Sequence, residues 1–245
     1  MNRSWLINGV SDDGFTWHGS AKPSTRRAVI ELDQKLKQIW YLERATKVSR
    51  SVARICFPDG TTYGTGFLVA PNLILTNHHV FGQPEDTQGV RIELNYRQLF
   101  GGRVTKPAVY ECDPTVFITN KPLDYTLVGL SQPAKQPYLR LRHGEVAAQG
   151  GHVAIIQHPL GEPLQVAMRD NSLAYDDDTV VEYITNTDYG SSGAPVFNDN
   201  WNVIALHSQR VRDPRVNTAT VWYRNRGTKI AAILSNPAVN KLIPT

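Results

Sequence analysis

Residues 51–81 read SVARICFPDGTTYGTGFLVAPNLILTNHHVF, and this stretch decides the fold class. Three apolar or β-branched runs, SVARICF, GTGFLVA and LILTN, are separated by the turn signals PDG and APN. β-Branched and aromatic residues suit a pleated, half-buried surface, while Gly, Pro, Asn and Asp suit turns. The pattern continues in VRIELN, LDYTLVGL, HVAIIQ, LQVAMR, TVVEYIT, APVFN, NVIALHS and TVWYR. Many short strands at close spacing, with little helix between them, indicate an all-β sandwich or barrel rather than a βαβ sheet.

The two ends read differently. Residues 1–23 show no periodicity. Ser24 or Thr25 is placed to cap a helix running to about Thr46, with Val29, Leu32, Leu36, Ile39 and Trp40 on one face. That face is expected to pack on the body of the protein. At the other end GTKIAAILSNPAV reads as a closing helix stopped near Asn236-Pro237. The expected organisation is an N-terminal extension over 1–46 and one domain over 47–245.

The chain has 245 residues, 41% hydrophobic and 20% charged, an ordinary globular composition. No apolar run approaches the roughly 18 residues needed to cross a bilayer, and the first residues carry no apolar signal core. The formal charge of +4 is spread along the chain without an aromatic-basic motif, so neither nucleic acid nor membrane is an expected partner. The two cysteines, Cys56 and Cys112, fit no metal-ligand spacing and read as small buried hydrophobes. A cytoplasmic location follows as an expectation, and no metal or other cofactor is called for.

Acyl transfer needs a nucleophile, a base, a group that orients the base, and N–H donors for the oxyanion. Each has a candidate. In DYGSSGAPVFN, Ser192 has Gly190 two residues before it and Gly193 just after. Glycine reaches backbone angles that let N–H groups converge, so Gly190 and Ser192 can form the oxyanion hole. Ser191 competes as nucleophile but lacks this register. The strand LILT ends in His78 and His79, either of which can serve as base. Asp124 opens the apolar run DYTLVGL, where a charge needs a partner, and an imidazole would supply one.

TNHHV, LDYTLVGL and GSSGAP together resemble the histidine, aspartate and serine boxes of the trypsin-like serine peptidases. The resemblance covers about residues 51 to 235. It implies two antiparallel β-barrels of six strands each, of the chymotrypsin type, with the active site between them. Its register makes His79, Asp124 and Ser192 the catalytic residues. Ser191 stands where digestive trypsins have an Asp that pairs with their new N-terminus, and Val80 where they have a cysteine. Both departures point to the disulfide-free bacterial branch, which includes the glutamyl endopeptidases. The continuation SSGAPVFNDNWNVIALHSQ resembles that group further. It implies that Thr187 and His207 contact an acidic substrate side chain, with Arg210, Arg212 and Arg215 adding positive potential. Asn186, at the position of the trypsin pocket Asp, carries no charge, so a tryptic preference is not expected. That group also uses a processed N-terminal amine, which here would require cleavage, for instance near Arg50-Ser51.

The reading is therefore a serine endopeptidase acting on protein or peptide substrates. The alternative is a protease-like binding module, with or without activation by a partner. A regulatory sensor or effector is a further expected partner, and residues 1–46 are a candidate brace, docking or inhibitory element. A stress protease joined to a PDZ module needs more chain after the serine box, and an α/β-hydrolase esterase needs the triad order Ser, Asp, His. His158, in IIQHPLGEP, reads as a turn residue bordering the cleft, without a catalytic role.

Overall fold

The runs at 51–76 form three successive antiparallel strands: β1 (Val52–Cys56), β2 (Tyr63–Ala70) and β3 (Leu73–Thr76). With β4 (Arg91–Leu94), β5 (Ala108–Asn120) and β6 (Tyr125–Leu130) they close a barrel in the order β1-β2-β3-β6-β5-β4. The computed structural model describes residues 37–145, 151–168, 171–212 and 223–244. Closure leaves no unpaired edge. Alternate residues fill the interior: Ala53 and Ile55 of β1 meet Leu68, Ile74, Phe81, Ile92 and Val128. The opposite face is also covered, since Val52, Phe67, Leu75 and Leu127 join a second apolar cluster. Strands buried on both faces read as continuous apolar runs, which is why GFLVA and LILT carry no alternation.

The second half contributes β7 (Ala154–Gln157), β8 (Gln165–Ala167), β9 (Ser172–Asp176), β10 (Val180–Ile184), β11 (Pro195–Phe197), β12 (Val203–Arg212) and β13 (Tyr223–Lys229). They form a seven-stranded sheet in the order β8-β7-β11-β12-β13-β10-β9. The sheet curls until His152, ahead of β7, bridges Ser172 at the start of β9. The protein is thus all-β with two barrels. The second departs from the expected six strands because β8 pairs with β7 as an extra edge strand. Its interior holds Ile155, Leu173, Val181, Tyr183, Val196 and Ile204. Phe197, Leu206, Ile156 and Trp201 belong to the same cluster as Phe67, Leu75 and Leu127, which fixes the two halves against each other.

The ends correct two expectations. Helix α1 spans Trp40–Ser49, and the earlier positions Val29, Leu32 and Leu36 lie outside the described residues. Ile39 and Trp40 are exposed, and Tyr41 is the buried residue of the helix. Ala45 and Val48, at helical spacing from Tyr41, pack beside it, and its ring lies 5.0 Å from that of Trp201. The face toward the body is therefore Tyr41–Ala45–Val48. At the C-terminus Gly227, Thr228 and Lys229 complete β13 instead of opening a helix. Helix α2 (Ile230–Leu234) follows, and Pro237 then begins a second short helix, α3 (Pro237–Leu242). Asn236 caps α3 by accepting from the Ala238 N–H, and proline is tolerated at a first helical turn because no N–H is needed there.

Candidate active site

His79 lies in the turn after β3, where Val80 and Phe81 N–H both donate to the Asn77 carbonyl and buried Phe81 anchors the chain. Asp124 ends the Lys121–Asp124 turn before β6 with φ 48°, a left-handed conformation that aspartate tolerates better than most residues. Strands β3 and β6 pair directly, so the two side chains meet. His79 Nδ1 is 3.0 and 2.9 Å from the two Asp124 carboxylate oxygens, and the His79 backbone N–H donates to Oδ1 at 3.0 Å. The Ser208 hydroxyl donates to Oδ2 at 2.5 Å. Asn77 Nδ2 donates to the Asp124 carbonyl at 2.9 Å and holds the turn. Burial alone would raise the Asp124 carboxyl pKa, but the bonds from His79 and Ser208 outweigh it and the net shift is downward. His78 turns elsewhere, with Nδ1 2.8 Å from the Thr119 hydroxyl.

The nucleophile candidates separate as clearly. Ser191 is fully buried and its hydroxyl accepts from the Asp188 N–H. Ser192 is partly exposed, and its hydroxyl donates to the Ser208 carbonyl at 3.4 Å, so it is not bonded to the His79 ring here. Asp124 and Ser192 nonetheless converge on Ser208, the carboxylate through its hydroxyl and the serine through its carbonyl.

The peptide groups of this loop can be followed one by one. The Tyr189 carbonyl accepts from Leu160 N–H, and the Gly190 carbonyl from the Thr65 hydroxyl. Ser191 N–H donates to Asp188, and the Ser191 carbonyl accepts from Ala194. The Ser192 carbonyl accepts from Thr65 N–H, and Gly193 N–H donates to His207. Among the described residues, the N–H groups of Gly190 and Ser192 alone in this loop are left without a partner. Gly190 and Gly193 have φ of 87° and 86°, and a Cβ on Gly190 would lie 2.7 Å from the His158 carbonyl. Both angle and space demand glycine.

Beyond the serine, Thr187 is buried and donates to Asn225 Oδ1 at 2.7 Å, and Asn225 Nδ2 donates to the Thr185 carbonyl. His207 is buried, with Nδ1 2.8 Å from the Tyr183 hydroxyl. Burial pushes the His207 pKa down to about 3, helped by nearby His79 and Arg210, so the ring is neutral at ordinary pH. Arg210 is exposed and pairs with Asn225 across the β12–β13 ladder. Asn186 is exposed and does not join this network; its carbonyl accepts from Gln157 Nε2. Arg215 lies outside the described residues. His158 is fully buried rather than bordering the cleft, with Nδ1 2.9 Å from the Glu162 carbonyl and a pKa lowered to about 4 by burial.

Ser208, Tyr183, Asn225 and Thr65 were not singled out in the sequence. Ser208 had a usable signal, a hydroxyl directly after His207 at the end of an apolar strand run. The other three depend on pairing between strands distant in sequence. Among the described residues no cluster of His, Cys, Asp or Glu could hold a metal ion.

Two β-barrels, with a histidine-carboxylate pair linked through Ser208 to a glycine-flanked serine, point to the class of the trypsin-like peptidases. The chain belongs to the trypsin-like peptidase domain family, whose pattern matches residues 64–206. It is 35% identical over 233 residues to y4fB of Sinorhizobium fredii, itself described as uncharacterized, covering 84% of this chain. The chain spans 35% of the length of that relative. Among solved structures it resembles a protease of M. tuberculosis in its active form, with TM-score 0.60 and 16% identity over 82% of this chain and 85% of that one. A serine endoprotease from Yersinia pestis aligns with TM-score 0.59 and 15% identity over 83% of this chain and 66% of that one. At these identities the likeness speaks for the fold.

Proposed function

We propose that the chain is a serine endopeptidase in which Ser192 attacks the substrate carbonyl. As the Oγ–C bond forms, the hydroxyl proton passes to His79 Nε2. Asp124 holds the ring through Nδ1 and stabilises the imidazolium. Negative charge on the carbonyl oxygen falls to the N–H groups of Gly190 and Ser192. Collapse breaks the C–N bond, and His79 returns the proton to the leaving amine. Water then releases the acyl group by the same steps in reverse. In the free protein the Ser192 hydroxyl rests on Ser208, and rotation about its Cα–Cβ bond turns it toward the ring. Such bonds commonly tighten only with substrate. The observation that carries the reading is the pair of unpartnered N–H groups in the Ser192 loop, whose serine shares Ser208 with the carboxylate that clasps His79.

The preferred residue before the cut is one with an acidic side chain. Its support is a donor geometry rather than a charged histidine, since His207 is neutral. The Tyr183 hydroxyl has no other acceptor among the described residues, so it donates to Nδ1 and leaves the proton on Nε2. Nε2–H then faces substrate as a donor, and Arg210 supplies positive potential. Cys56 and Cys112 are free, with thiols raised by burial to about 11 and about 12, and such inert thiols suit a cytoplasmic setting.

A fluorophosphonate probe tests the enzyme reading. Wild-type protein should be labelled and Ser192→Ala should not. Equal labelling of both, or of neither, would favour a binding module. A peptide panel varied only before the cut tests the preference, and equal cleavage after Glu, Leu and Arg would end it.

A further inference from the structure

The turn at residues 158–161 follows β7 and packs against β1 and β2 of the first barrel. Its Leu160 N–H donates to the Tyr189 carbonyl at 2.5 Å. A trans peptide points its carbonyl and its N–H in opposite directions, so this bond turns the Gly190 N–H the other way. The next peptide is held by Thr65. Its hydroxyl donates to the Gly190 carbonyl at 2.6 Å and accepts from His158 N–H at 3.1 Å. Its own N–H donates to the Ser192 carbonyl at 2.9 Å. A single fully buried threonine of the first barrel thus touches the turn and the serine loop at two places.

The turn is fastened in its own right by Arg54. Nη1 donates to the Gly161 carbonyl at 2.5 Å. Nε and Nη2 donate to Glu93 Oε2 at 3.1 and 2.6 Å, and the guanidinium lies 3.6 Å from the Tyr96 ring centroid. Such a clamp is needed because Leu160 has φ 55°, a conformation that persists in a non-glycine residue only when its surroundings enforce it.

We propose that Thr65 and Arg54 are positioning residues that hold the 158–161 turn against the Tyr189–Gly190 peptide and so keep the Gly190 N–H available to the oxyanion. This rests on the reading of Ser192 as nucleophile. Without the clamp, the flexible Gly190 lets the peptide rotate and present its carbonyl instead. Substrate would still bind, but the developing charge would lose one donor.

The test uses the full chain as wild type, Thr65→Val, Thr65→Ser and Arg54→Gln. For each, kcat and KM are measured on a cleaved peptide, with inhibition by a peptide aldehyde of the same sequence. Thr65→Val should lower kcat and aldehyde affinity together by about 10- to 100-fold, less than the roughly 100- to 1,000-fold of a donor removed outright, because the Gly190 N–H is misplaced rather than lost. KM should change by less than about threefold, since ground-state binding is untouched. Thr65→Ser restores the hydroxyl and should stay within about threefold of wild type. Arg54→Gln should shift kcat and aldehyde affinity in the same direction as Thr65→Val. Wild-type kcat in both Thr65→Val and Arg54→Gln overturns the proposal, as does a loss that serine fails to restore. If melting shows Thr65→Val unfolded, Arg54→Gln decides alone. If wild type neither cleaves peptide nor takes up fluorophosphonate, the reading of Ser192 fails and the proposal falls with it.

Discussion

The Tyr183 hydroxyl lies 2.8 Å from His207 Nδ1, both groups being buried inside the second barrel. With the phenol as donor, the ring keeps its proton on Nε2. No bond from Nε2 is formed among the described residues, and the atom is not sealed from solvent, so it is free to donate outward. A substrate oxygen would complete it. Tyr183→Phe frees the tautomer and should lower kcat/KM for a glutamate peptide by about tenfold, the worth of one hydrogen bond of about 1.4 kcal/mol. A leucine peptide should be little affected. Equal losses for both peptides would remove His207 from the specificity determinants.

Asp124 carries two loads, orienting His79 and accepting from Ser208. Asp124→Asn should lower kcat about ten-thousand-fold by permitting the wrong imidazole tautomer. The fold should survive, because Asn77 bonds the Asp124 backbone carbonyl and not its side chain. Ser208→Ala should cost far less, about tenfold in kcat, since one of several bonds to the carboxylate is lost. Steady-state kinetics beside a thermal melt check both, and a Ser208→Ala loss as large as that of Asp124→Asn would rank the two groups wrongly.

The sequence showed the first barrel well because its strands are short, apolar and punctuated by turns, as in GTGFLVAPNLILT. It hid β5, whose residues Ala108–Asn120 are mostly half-exposed, contain Pro114 and change register between Asp113 and Phe117. Period-two patterning fails in such a strand. It also hid β9, where SLAYD has one fully buried residue, Leu173. The closing helix begins three residues later than GTKIAAIL suggests: IAAIL is helical, but β10 and β12 recruit Gly227–Lys229 into the sheet. At the site, His79, Asp124, Ser192 and Gly190 stood out because each sits at an apolar strand boundary. Thr65, Arg54, Tyr183 and Asn225 act through strand register and turn packing, which no local pattern encodes.

Gly190→Ala tests strain and crowding together. Its φ is 87°, and the new methyl would sit 2.7 Å from the His158 carbonyl. Activity should fall by more than about 100-fold as the Gly190–Ser192 loop, the proposed oxyanion site, shifts. Gly60→Ala separates the effects, because its φ is 70° but nothing lies within 4 Å of the added Cβ. It should destabilise by about 1 kcal/mol and leave kcat unchanged. Matching kinetic losses in the two variants would mean that strain elsewhere, not contact at the oxyanion loop, controls activity.

His207 and His158 make stability fall with acid. Burial lowers their folded pKa values to about 3 and about 4, from an ordinary 6.5. Between about pH 6.5 and 4 the unfolded chain therefore binds two protons that the folded chain refuses. Stability from these groups is fully present above pH 6.5 and declines as pH falls. Each contributes a slope of about 1.4 kcal/mol per pH unit, so the pair removes several kcal/mol across that window. That loss is comparable to the whole stability of a typical domain, so unfolding should set in near pH 4 to 5. Urea unfolding at pH 7, 6 and 5 measures the slope. His207→Gln should reduce it by about half if both rings are buried neutral. A stability that stays flat from pH 7 to 5 would mean that neither histidine is held neutral by the fold, and the donor role assigned to His207 would lose its basis.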